Sequence, residues 1–396
     1  MAADHGNART GEVSDSRVVA LRAYRVAHRL AEPQGNAGGY YDLRESLVVE
    51  LVDRAGRSGW GETWHSPAGA SAVLRDTLAP RVLGADGSRP RALANACAQA
   101  RGYDRGGITT MATSALEMAA WDLAARARGV PLHELLGGAL RARVPAYAAG
   151  PYFRPGGDPL RDYSREAEVY VAAGFRAIKA KIGLGPSEDE RALRAIAGAV
   201  GPGVALMADA NQGYRAGVAI ESARRTADLG LRWLEEPVPP EDVDGYRRIC
   251  EAAVVDVAGG EALGESTAFR TLLDAGVGVL QPDISICGGV VAMLDSAALA
   301  RARGAAIVPH VWGTGINLHA TLQLLAVLPA APSGAWLPYP WLELDRSPNP
   351  LRTLFGEPAP GADGCVAIPD APGIGIDVRA ERFAPFLKDS WSVERP

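Results

Sequence analysis

The chain has 396 residues, of which 47% are hydrophobic, and a formal net charge of −5. That length exceeds one ordinary core and argues for a large domain beside a smaller one. The basic residues are scattered rather than gathered into a stripe or polybasic patch, which excludes nucleic acid and membrane surfaces as partners and leaves a small molecule.

No run approaches the roughly 20 apolar residues that span a bilayer. Residues 1–16 lack the apolar core of a signal peptide and are expected to be a disordered leader. Cys97, Cys250, Cys287 and Cys365 lie far apart with no CxxC spacing, as expected of buried, reduced thiols in a cytoplasmic protein.

From Val18 to Glu62 the alternation of apolar and polar residues predicts strands, with a hairpin at Asp53–Gly59. The Gly-rich stretch Glu32–Asp42 between them reads as a lid or an ordinary exposed loop. Helices follow between about Ala70 and Gly137. The clearest is predicted to begin at Ser114, with Glu117 completing a capping box, and to stop at Gly129 before Pro131. Strands and then helices, before any β-α alternation, mark an α+β capping domain over 17–142.

From Arg143 the pattern changes. Short apolar runs alternate with helical segments, and each run ends in a polar residue: Asp209 in ALMAD, Glu235 in LRWLE, Glu261 in VAGGE, Asp283 in GVLQPD, His310 in AAIVPH and Glu343 in WLE. The first three ends stand 26 residues apart. Such a repeat predicts a (β/α)8-type, TIM-like barrel over 143–345, with these residues at the strand C-termini where barrels carry their chemistry. The remaining residues, 346–396, hold two strand-like runs, CVAIP and IGIDV, expected to pack back on the cap.

Three convergent carboxylates, Asp209, Glu235 and Glu261, imply a hard divalent cation such as Mg²⁺. Lys179 and Lys181, two apart on one strand, point to the same side, where mutual repulsion would leave one neutral enough to act as a base. Asp283 and His310 end neighbouring strands, close enough for the carboxylate to fix the imidazole tautomer and raise its pKa. Two proton-transfer groups on opposite walls suit removal of a proton next to a carboxylate. Nucleotide, flavin, serine-hydrolase and zinc-peptidase motifs are absent from the sequence.

In combination, GWGE, KAKIG, DAN at Asp209–Asn211, EEP, GGE, QPD and PH resemble the enolase superfamily, mandelate racemase subgroup, over nearly the whole chain. The resemblance implies that Asp209, Glu235 and Glu261 are Mg²⁺ ligands and that Lys181 is one base. It also implies Asp283 with His310 as the opposing dyad, Lys179 as an auxiliary cation and Glu343 as an acid that helps stabilise the enolate. VPHVWGTG, LDRSPNP and IPDAPGIGI look most like the galactarolactone cycloisomerases, which open an aldarolactone by β-elimination.

The implied activity is Mg²⁺-dependent proton abstraction from a sugar acid or aldarolactone followed by β-elimination. A racemase or epimerase using the same pair, and a non-catalytic metal-binding barrel, are the alternatives. Substrate contacts are expected from Tyr40, Tyr41, Trp64 and His65 in the cap and from Asn211 and Trp312 at the barrel ends; domain-interface packing is the other reading of the cap aromatics. A homo-oligomer is expected.

Overall fold

The N-terminal alternation forms an antiparallel sheet of β1 (Val18–Asn36), β2 (Gly39–Asp53) and β3 (Ser58–Thr63). The computed structural model describes residues 15–252 and 255–395, so the leader assigned to 1–16 lies outside the described residues except for Asp15 and Ser16. The Glu32–Asp42 stretch is not an open loop. It is the tip of the β1–β2 hairpin, with Gly35 opposite Tyr40 and Asn36 opposite Gly39. Gly35 also exchanges backbone hydrogen bonds with Phe153 at 2.8 and 2.9 Å, which ties the tip to the barrel.

The cap helices are α1 (Pro67–Val73), α2 (Ala79–Val82), α3 (Pro90–Ala98), α4 (Ile108–Arg128) and α5 (Leu132–Leu135). Helix α4 begins a turn and a half before the predicted Ser114. The apparent capping box is interior: Ser114 Oγ donates to Thr110 O, and Glu117 is buried against the barrel. The other end is as the sequence reads, with Gly129 in the left-handed region at φ 66°. Strand β3 lies directly on α4. A Cβ at Gly61 would come within 2.0 Å of Ala115 O, and one at Gly59 within 2.2 Å of Ala119 O, so this contact admits only glycine.

The barrel comprises eight parallel strands: β4 (Arg143–Ala149), β5 (Ala177–Lys181), β6 (Ala205–Asp209), β7 (Leu234–Glu235), β8 (Val257–Gly259), β9 (Val279–Leu280), β10 (Ala306–Ile307) and β11 (Leu342–Asp345). The connecting helices are α6 (Pro159–Ala172), α7 (Pro186–Val200), α8 (Ala216–Arg225), α9 (Val243–Ala252), α10 (Ser266–Asp274), α11 (Val290–Ala302) and α12 (Gly315–Leu325). After β11, among the described residues, comes the four-residue α13 (Pro350–Thr353) in place of a full-length helix. Ladders run from β4 to β10 in order, and β11 returns onto β4. Between β10 and β11 the Val311 N–H donates to Glu343 at 3.1 Å.

Inside the barrel, Tyr147, Met207, Trp233, Val279, Val308, Tyr339 and Trp341 form a buried apolar plug. The barrel axis is therefore filled, and the polar strand ends sit above that filling.

The tail corrects a detail. The run CVA becomes β12 (Cys365–Ala367), which pairs with barrel strand β4 and not with the cap. IGIDV forms no strand; Ile374 N–H instead donates to Asp122 of α4 at 2.7 Å. The strand that does join the cap is β13 (Leu387–Glu394), antiparallel to β1 and unforeseen because it is mostly exposed and polar.

Candidate active site

Of the residues read as strand ends, Asp209 and Glu235 close β6 and β7, as Lys181 closes β5; Glu261, Asp283 and His310 lie two or three residues past β8, β9 and β10, and Glu343 lies inside β11. Lys181 stands beside Asp209, Asp209 beside Glu235, and an isolated parallel bridge joins Asp283 to His310. Asp209, Glu235 and Glu261 each offer an oxygen within 4.8 Å of the others. Asp209 and Glu235 are fully buried, and Glu261 is partly so.

Both lysines of β5 point into this cluster. Lys179 Nζ lies 2.7 Å from Glu343 and also contacts Glu235, while Lys181 Nζ lies 2.6 Å from Asp209. The expected mutual depression of their pKa values is overturned. Burial works against each ammonium, but the carboxylates outweigh it: Glu235 and Glu343 hold Lys179 well above its ordinary range, and Asp209 does the same for Lys181.

The carboxylates carry the corresponding strain. Burial pushes Glu235 up to about 8 in spite of Lys179. Its Oε2 accepts from Gln281 Nε2 at 2.6 Å and Trp233 Nε1 at 2.8 Å. One Glu261 oxygen is buried with no hydrogen-bond partner. An all-oxygen donor set with an unsatisfied buried acceptor fits a hard divalent cation.

On the opposite wall His310 Nδ1 is 2.8 Å from Asp283 Oδ2, and its Nε2 faces Glu261 at 3.6 Å. Burial lowers the imidazole pKa, but Glu261, Glu343 and Asp283 together push it up to about 10. The direction matches the sequence expectation; the largest charge responsible is Glu261 and not Asp283.

A cavity of about 380 Å³ opens above these groups, between cap and barrel. Lys181, Glu261, His310, Asn211 and Trp312 line it from the barrel, and Tyr41, Trp64 and His65 from the cap. Lys179, Asp209, Glu235, Asp283 and Glu343 form the buried layer beneath. Tyr40 does not reach the cavity. Strand alternation sends it to the face opposite Tyr41, where it is 58% exposed.

Sequence reasoning missed several groups around the cavity. Arg44 of β2 is buried, stacks 3.7 Å over the Trp312 ring and lies 3.4 Å from Asp345. Tyr152 donates to Asp345 at 2.9 Å. Asn317 of α12 donates to Asp283 at 3.0 Å. None sits at a regular strand end, so spacing carried no signal for them.

The chain matches two family models: the N-terminal domain of mandelate racemase / muconate lactonizing enzyme over residues 20–137, and the enolase C-terminal domain-like family over 162–382. It is 36% identical to the D-galactarolactone cycloisomerase of Agrobacterium fabrum, over 93% of this chain and 98% of that one. It is 32% identical to the 3,6-anhydro-alpha-L-galactonate cycloisomerase of Streptomyces coelicolor, over 91% and 96%. Among solved structures, a Streptomyces coelicolor racemase with bound magnesium superposes with a TM-score of 0.82 at 30% identity, over 93% of this chain and 99% of that one.

Proposed function

The chain belongs to the mandelate racemase / muconate lactonizing enzyme family of the enolase superfamily, and from that premise we propose that it is a Mg²⁺-dependent cycloisomerase or dehydratase of sugar acids. The observation that carries the reading is that Lys181 and His310 open onto one cavity from facing walls, above the cluster of Asp209, Glu235 and Glu261.

Mg²⁺ bound by those three carboxylates supplies electrostatic stabilisation of negative charge developing on the substrate carboxylate. The protein's own groups move the protons. Lys181 or His310 takes the proton α to the carboxylate, and the electron pair left on carbon forms the enolate. In an aldarolactone the enolate expels the lactone oxygen from the β-carbon as a carboxylate; in an open acid it expels hydroxide, which takes a proton from the other member of the pair and leaves as water. The enol then ketonises with a proton delivered to the former β-carbon. Lys179 holds Glu235 and Glu343 in place below, and Asp283 holds the imidazole.

The racemase reading is kept as a second proposal because the two groups face each other across the cavity, as returning a proton to the opposite face requires. We further propose the division 17–142, 143–345 and 346–396, a homo-oligomeric assembly and a cytoplasmic location. Support for the location is that Cys97, Cys250, Cys287 and Cys365 are all free thiols. No helix among the described residues is long and apolar enough to cross a membrane.

The test is turnover of a library of acid sugars and aldarolactones with and without Mg²⁺. Metal-dependent formation of a 2-keto acid is expected; a library left wholly intact, with no α-proton exchange, would favour a non-catalytic barrel.

A further inference from the structure

The cap's place in the reaction is ordinarily that of a wall around the substrate, yet one of its side chains reaches past the cavity to the dyad. Trp64 follows the last residue of β3, and its indole Nε1–H donates to Asp283 Oδ2 at 2.9 Å. This is the same oxygen that faces His310 Nδ1 at 2.8 Å. The other oxygen, Oδ1, accepts from Ser285 N–H and Oγ at 2.7 Å each and from Asn317 Nδ2 at 3.0 Å. Among the described residues, Trp64 is the cap's donor to this carboxylate and the rest come from the barrel.

A carboxylate oxygen has two lone pairs in its plane. With the indole on one and the imidazole on the other, the ring of His310 is confined to a single direction. Remove the indole N–H and the second lone pair is free, so the imidazole can swing between two positions. The indole itself is fixed by its strand. Glu62, two residues earlier, accepts the N–H groups of Thr314 at 2.9 Å and Asn317 at 3.0 Å, which clamps the end of β3 to the segment following His310.

We propose that Trp64 is a positioning residue of the acid/base dyad, so that docking of the cap and alignment of His310 are one event. The proposal rests on the proton-transfer role given to His310 above. It assigns to a cap residue an effect on the chemical step in addition to contact with substrate.

Trp64→Phe keeps the ring and removes the donor. The expected result is a fall in kcat of roughly 10- to 100-fold with KM little changed, the size typical when a partner that orients a first ligand is lost. A residue serving only as cavity wall would shift KM and leave kcat. A second measurement needs no substrate: with ¹⁵N-labelled indoles, the Nε1–H resonance absent from Trp64→Phe belongs to Trp64, and it should move upfield in Asp283→Asn, where the acceptor is neutral. Unchanged kcat in Trp64→Phe, or a resonance indifferent to Asp283→Asn, overturns the proposal. If wild-type protein turns over no acid sugar or lactone, the functional reading fails instead, and the resonance alone decides whether Trp64 holds Asp283.

Discussion

Glu62 on cap strand β3 accepts the backbone N–H of Asn317, in the first turn of barrel helix α12, at 3.0 Å. Glu117 does the same for α11, accepting from Val291 N–H at 3.2 Å. Two buried cap carboxylates thus satisfy orphan N–H groups at the starts of two barrel helices, where the helix dipole favours negative charge. Each also leaves an oxygen without a partner, Glu62 Oε2 and Glu117 Oε2.

This arrangement makes stability depend on pH in an unusual direction. Burial pushes both carboxyl groups up to about 7 from 4.5, against the hydrogen bonds that lower them. Between these values the folded state holds protons that the unfolded chain has lost, so unfolding free energy falls as pH rises from about 4.5 to 7. The contribution is fully present below the lower value and lost above the upper one, about 3 kcal/mol at most per group. Urea denaturation from pH 5 to 8 should show a shallower decline in Glu62→Gln than in wild type. Equal slopes would show that Glu62 is not the titrating group.

The metal cluster makes a separate prediction. Glu235→Gln removes one ligand charge at nearly constant volume, so turnover should be abolished and Mg²⁺ affinity weakened while far-UV circular dichroism stays unchanged. Exhaustive chelation of the wild type should have the same effect on activity. Activity that survived chelation would contradict the assignment of these carboxylates.

For the proton-transfer pair, Lys181→Ala and His310→Asn should each lower turnover by about 10²–10⁴-fold. The variant lacking the initial base should also lose α-proton exchange, and the other should retain it. Steady-state rates and exchange of each variant in D₂O distinguish the two. Full activity in either would remove that residue from the mechanism.

A packing prediction concerns β3. At Gly61 an added Cβ meets the backbone oxygen of Ala115 at 2.0 Å, which cannot move aside as a side chain could, so Gly61→Ala should destabilise by about 3 kcal/mol or more. Gly198, in helix α7, has no atom within 4 Å of the corresponding position. There Gly→Ala should be neutral or stabilise by about 0.5–1 kcal/mol. Denaturation midpoints of the two variants check the contrast.

The polar ends of the apolar runs were legible because they recur at the barrel's repeat, although Glu261, Asp283 and His310 lie two or three residues past their strands and Glu343 inside its own. What escaped the sequence depended on partners distant in the chain. Ser114 and Glu117 have the spacing of a capping box, but tertiary packing extends α4 backward and sends Glu117 to cap α11 instead. The polar strand β13 carries little apolar alternation and is ordered by pairing with β1. The lysine pair predicted mutual repulsion, whereas the nearest charges to each ammonium are carboxylates from other strands. Trp64 was legible as a cavity aromatic, but its bond to Asp283 spans 219 residues of sequence.

The most direct test of the central claim is the fate of solvent hydrogen when the wild type acts on an aldarolactone or acid sugar in D₂O with Mg²⁺. Elimination places deuterium in the methylene next to the new keto group, with the β-carbon–oxygen bond broken. That product, formed at the rate of turnover, is the predicted result. An intact epimer deuterated at the α-carbon as the sole product would contradict elimination and identify the racemase reading as correct.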